Sequence, residues 1–120
     1  MTTVEVTTLA EEPRVQRWRE QTRWSLLRAR QLQDAGDEVG ASLLLARGET
    51  RRAASEMLRT AKSVADAAKQ MLDTAWRLRQ HDVPWAYPDE SCLTYVRART
   101  WQNCAHQLEP ALPEVQPCWH

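Results

Sequence analysis

The side chains best suited to chemistry in this chain are arginines interleaved with tryptophans. Arg17-Trp18-Arg19, Arg23-Trp24, Arg28 and Arg30 all fall on one predicted helix. Trp18 belongs to an apolar stripe with Val15, Thr22, Leu26, Ala29 and Leu32, whereas Trp24 lies about 240° round from it. Arg14, Arg17 and Arg28 fall roughly on one stripe of the same helix. A tryptophan off the apolar face, among guanidinium groups, is what a base-stacking surface for single-stranded nucleic acid uses. The same pattern also suits Trp24 packed on another helix or a subunit, with the arginines solvated.

A second basic group comprises Arg47, Arg51, Arg52, Arg59 and Lys62. Arg52, Arg59 and Lys62 share one predicted helical face, opposite the apolar seam, and such a row could track phosphates turn by turn. Glu49 and Glu56 work against that use, because Glu56 stands three or four residues from Arg52 and Arg59 and pairs with them on a solvated face. The candidate nucleic-acid contacts are therefore Arg14, Arg17, Trp24, Arg28, Arg51, Arg52, Arg59 and Lys62.

Metal and catalytic chemistry find less support. Cys104-x-His106, Cys118-x-His120, Cys92 and His81 supply enough ligand types for a tetrahedral zinc site. One-residue Cys-x-His spacing on a helix, however, directs the two side chains about 200° apart. No metal or other cofactor is expected. There is no glycine-rich phosphate loop, nucleophile elbow or pair of Glu-x-x-His helices. His106-x-x-Glu109 occurs once, beside Pro110, and His81-Asp82 reads as a helix end. The sequence predicts no enzyme and no small-molecule substrate.

These residues need helices to position them. With 120 residues, 42% of them hydrophobic and only three glycines, the chain reads as one all-α domain with a single modest core. From Thr50 to Gln80, Met57, Ala61, Val64, Ala68, Met71, Ala75 and Leu78 recur at steps of four and three, widened by Leu58, Ala65 and Leu72. That predicts one long central helix of roughly 45 Å. Alanine along its seam permits close approach by neighbours, and methionine fills irregular gaps. Glu11, Glu12 and Pro13 open a first helix that runs to about Asp34, where Gly36 serves as left-handed C-cap and Asp37 as the next N-cap. A second helix carries Val39, Leu43 and Leu44 and is expected to bend or break near Gly48. Pro84 and Pro88 interrupt the chain around Trp85 and Tyr87. A last helix starts at Asp89 and ends before Pro110, its inner face Leu93, Val96, Thr100 or Trp101, Cys104 and Leu108.

The fold expected is a compact bundle of four to five helices around one long central helix. Residues 1–10 are a flexible N-terminus, 11–109 the bundle and 110–120 an extended tail. Trp85, Tyr87 and Trp119 are candidate anchors for a protein interface. The acidic Met1–Ala10 start is unlike a secretory signal, the longest apolar run is Leu43–Ala46, and three cysteines form no disulfide framework. Those features imply a cytoplasmic protein with no membrane segment.

Charge bears on partners. The net is zero, yet Arg14 to Lys62 holds eleven basic and six acidic residues, and the rest holds five and ten. That polarity suits a charged partner surface or self-association. Arginine outnumbers lysine fourteen to two, as high-GC codon usage or selection for bidentate phosphate and carboxylate contacts would each produce. In size, all-helical character and a basic side set against an acidic one, the chain resembles the small helical subunits of multiprotein CRISPR effector complexes. That resemblance implies a non-catalytic subunit lying beside copies of itself and other proteins, contacting single-stranded RNA or DNA through backbone charges. The other class the residues allow is a protein-only adaptor or inhibitor of phage or plasmid type, acting through tryptophan-rich interfaces.

Overall fold

The computed structural model describes residues 12–80 and 88–113, with side chains from 93 onward in the second stretch. It is all-helical, with α1 at Pro13–Asp34, α2 at Glu38–Thr60, α3 at Val64–Gln80 and α4 at Pro88–Leu108.

Local sequence fixes the ends of these helices. Glu12 caps α1 by accepting from the Arg14 amide, and Pro13 takes the first turn, where its missing N–H costs nothing. After Asp34, Gly36 adopts φ +89, a conformation open to glycine without strain. Asp37 N then reaches back to Leu32 O at 2.8 Å, satisfying an end carbonyl of α1. The Asp37 carboxylate accepts from Gly40 N at 2.9 Å and starts α2. The sequence places all three signals correctly.

The long central helix is where expectation and structure part. The helix expected over Thr50–Gln80 is two helices, and the break lies at 61–63 rather than at Gly48. Ala61 is extended at ψ 159. Ser63 Oγ accepts from Asp66 N at 3.1 Å, and Ser63 O accepts from Ala67 N. Ser63 is thus an N-cap inside a run whose apolar periodicity continues past it. A serine oxygen offers backbone N–H groups an alternative to the helix, and here it prevails. Gly48, by contrast, lies inside an unbroken α2 because α1 approaches there. A Cβ on Gly48 would meet Ser25 Cβ at 3.1 Å, and Thr22 Oγ1 donates to Gly48 O at 3.0 Å. The glycine serves helix packing, not helix termination.

The result is two helical hairpins. α1 packs mainly on α2, α3 mainly on α4, and α2 touches all three other helices. The centre of the bundle is therefore α2, not a rod beginning at Thr50. The apolar seam still buries: Ala68, Met71 and Ala75 are inaccessible, with Met57, Ala61, Val64 and Leu78 packed against the core. Ala65, expected to widen the seam, is exposed, and Ala67 is buried instead. On α1, Val15, Trp18, Thr22 and Ala29 face inward as expected, while Ser25 takes the place expected of Leu26. From α4, Trp101, Cys104, Ala105 and Leu108 complete the core. Leu112 folds back onto it after Pro110, and its carbonyl lies 2.9 Å from His106 Nε2.

Candidate functional site

The α1–α2 hairpin carries most of the basic residues, and the structure groups them in three settings. Arg14 is a structural clamp. Its Nε donates to Glu12 Oε1 at 2.7 Å, and Nη1 donates to Gln107 O at 3.0 Å, tying the start of α1 to the end of α4. The Arg14 guanidinium in turn holds the Glu12 carboxyl below its ordinary pKa.

Arg17, Trp24 and Arg28 form the second setting. All three are exposed, Trp24 at 61%. Trp24 lies one turn from Arg28 and two turns from Arg17 on the outer face of α1, away from α2. Arg28 Nη1 donates to Gln31 Oε1 at 3.2 Å, an exposed contact that water can replace. Of the arginines read as one stripe in the sequence, only Arg17 and Arg28 flank the indole.

The third setting is a groove between α1 and α2. Arg19 and Arg23 from one helix and Arg52 from the other line an open cavity of about 440 Å³ with Thr22, Leu26, Ser55 and Glu56. Glu56 is bound by Arg59, with Nη2 to Oε1 at 2.7 Å, and more loosely by Arg19 at 3.4 Å. Arg59 foremost, and Arg19 with it, lower the pKa of the Glu56 carboxyl. The expected partnership of Glu56 with Arg59 is present, and the cross-helix partner is Arg19. Sequence reading assigned Arg52 and Arg59 to a face of their own, whereas the structure joins them to Arg19 and Arg23. The spacing of Arg19, Arg23 and Arg30, at four and seven residues, was the available signal.

Arg51 and Lys62 fall outside these groups, which breaks the row of phosphate contacts expected along one helix. Arg51 is half-buried, near enough to Cys104 on α4 for its charge to act on that thiol. Lys62 is exposed in the bend between α2 and α3, where no helix face exists. The Ser63 cap accounts for Lys62, which the bend takes off the helix, whereas Arg51 stands about 100° round α2 from Arg52 and so turns towards α4.

Among the described residues no three metal-binding side chains come together. Cys104 is buried, with its thiol pushed up to about 12 by burial, the opposite of a reactive thiolate. His81, Cys118 and His120 lie outside the described residues, as do the expected interface residues Trp85, Tyr87 and Trp119. Among the described residues no helix is long and apolar enough to cross a membrane. No family model matches the chain, and no curated protein or solved structure is similar to it.

Proposed function

We propose that this chain is a non-catalytic helical subunit that contacts single-stranded nucleic acid along the outer face of α1. The observation that carries the reading is Trp24, 61% exposed with Arg17 and Arg28 beside it on the same face. An indole left in water on a well-packed helix gains most when a flat partner covers it, and flanking guanidinium groups bias that partner towards bases and phosphates. α1 as a whole carries six arginines against Glu20 and Asp34; on the outer face itself Arg17 and Arg28 stand against Glu20, a small positive excess beside the indole. The role matches what resemblance to the small CRISPR effector subunits implies, with several copies aligned along one strand to raise affinity.

The test is fluorescence anisotropy with labelled single-stranded RNA and DNA over a salt series. Trp24→Ala should weaken binding by about 1–3 kcal/mol, the contribution of one stacked base. Arg17→Ala with Arg28→Ala should flatten the logarithmic salt slope by about 1.4. Helicity should be unchanged, since none of the three side chains enters the core. Unaltered binding in both variants, or none at any salt, would overturn the reading.

A protein-only adaptor is the second reading, favoured by Leu27, 60% exposed and one turn from Trp24. In that case Trp24 and Leu27 anchor a protein surface, and a neutral polymer-free partner binds with little salt dependence.

A further inference from the structure

The α1–α2 groove does not end at the arginines. Leu26 also lines a second open cavity of about 270 Å³, formed with Ala29, Arg30, Glu38, Ala41 and Leu45 among others. The two cavities share Leu26 and so run on as one channel along the hairpin. Its middle is apolar, with Leu26 and Leu45 each more than a third exposed. Its two edges differ in charge. The α1 edge carries Arg19, Arg23 and Arg30; the α2 edge carries Glu38, Glu49, Arg52 and Glu56. Within the chain Glu56 is paired, whereas Arg23, Arg30, Glu38 and Glu49 take part in no ion pair among the described residues.

From this we infer that the groove is the face through which two copies of this chain associate, face to face about a two-fold axis parallel to α1 and α2. Such an axis lays α1 of each copy over α2 of the other and keeps each residue at its own height along the helices. The hydrogen bond from Thr22 Oγ1 to Gly48 O fixes that height. Because α1 and α2 run antiparallel, Arg23 and Glu49 stand one residue to either side of that level, about 3 Å apart along the axis, so Arg23 of one copy lies within reach of Glu49 of its partner, twice. Arg30 likewise lies within about a turn of the partner's Glu38, and Leu26 and Leu45 meet in the middle. The alternative axis, perpendicular to the helices, sets arginine edge on arginine edge and is disfavoured by repulsion. Two of the charged levels, Arg23 with Glu49 and Arg30 with Glu38, pair opposite signs in the parallel-axis orientation, and one, Arg19 over the partner's Arg52, opposes like signs. The perpendicular axis sets like edges together throughout, so the balance of charge favours a second copy in the parallel-axis orientation.

The groove is small. From Arg19 to Gln33 it is about 21 Å long, and two helices give it a width of about 20 Å. That face is roughly half of the ~800 Å² per partner found in standard interfaces, so the association expected is weak and reversible. Arg17, Trp24 and Arg28 point away from it, so the inference stands apart from the nucleic-acid reading and neither depends on the other.

Sedimentation velocity on the full chain, from a few to several hundred micromolar, tests it. The wild type should be a monomer–dimer equilibrium that weakens as salt is raised. Arg23→Glu with Arg30→Glu should raise the dissociation constant more than about tenfold, through repulsion from Glu38 and Glu49. The complementary variant, Glu38→Arg with Glu49→Arg, should also be monomeric alone. Mixed one to one, the two variants should form a heterodimer at least as tight as the wild-type pair. A wild type that stays monomeric throughout, or a dimer indifferent to these charges, overturns the inference. So does failure of the mixture to associate when circular dichroism shows both variants folded.

Discussion

Trp18 Nε1 donates to Gln107 Oε1 at 2.9 Å, joining the first helix to the last. The indole is inaccessible to water and sits in the main apolar cluster. Its N–H therefore depends on one side chain from α4. Gln107 itself lies at the surface. Gln107→Leu should cost about 1 kcal/mol in urea unfolding, the penalty of an unpaired buried donor. Trp18→Ala, which empties the site, should cost about 3–5 kcal/mol. Equal effects of the two substitutions would mean the hydrogen bond, not the packing, holds α1 to α4.

Gly48 offers a test of helix against helix. Replacing it removes a residue that is about 1 kcal/mol worse than alanine within a helix, which alone would stabilise α2. Gly48→Leu instead should destabilise by about 1–3 kcal/mol, because its side chain must displace Ser25 and push α1 away. A thermal midpoint above the wild type would show that α1 packs elsewhere on α2.

Ala68→Asp should unfold the protein or drive it to aggregate. Ala68 is inaccessible within the core cluster, where an unpaired carboxylate costs several kcal/mol. Ala65→Asp is the control: Ala65 is exposed, and its substitution should leave the unfolding free energy within about 0.5 kcal/mol of the wild type. The pair distinguishes the observed face of α3 from the one periodicity suggested.

Cys104 makes stability depend on alkaline pH. Burial raises its pKa from 9.0 to about 12, so the folded state keeps a proton that the unfolded chain loses. This contribution is complete below pH 9.0 and is lost as pH rises from there towards about 12, at about 1.4 kcal/mol per pH unit. Comparing Cys104→Ala with the parent in urea at pH 8 and pH 10 isolates the effect, the variant showing the shallower fall. In a Cys92→Ser, Cys118→Ser background, native Cys104 should also resist alkylation at pH 8 until denaturant is added. Rapid labelling of the native protein would contradict its burial.

Much of this architecture was legible in the chain itself. Helical class followed from composition, and the ends of α1, the start of α2 and the end of α4 followed from Pro13, Gly36, Asp37 and Pro110. Those signals are local, each acting through a backbone group within a turn of itself, so they need no knowledge of the rest of the fold. Ser63-x-x-Asp66 was equally local. It was outweighed by an apolar periodicity that runs unbroken through the bend, because residues on both sides of it face the same core.

What only the tertiary structure decided concerns relations between helices. Gly48 reads as a break until α1 lies on it, and Ser25 takes an inward place where its size, not its polarity, suits the contact. Arg19 reaches Glu56, and Arg23 shares a groove with Arg52, only because the Gly36 turn lays α1 antiparallel on α2. A side chain's type and its helical angle are properties of sequence. Which neighbour it meets depends on how ridges of one helix settle against another, and that is fixed by the shapes of residues far apart in the chain.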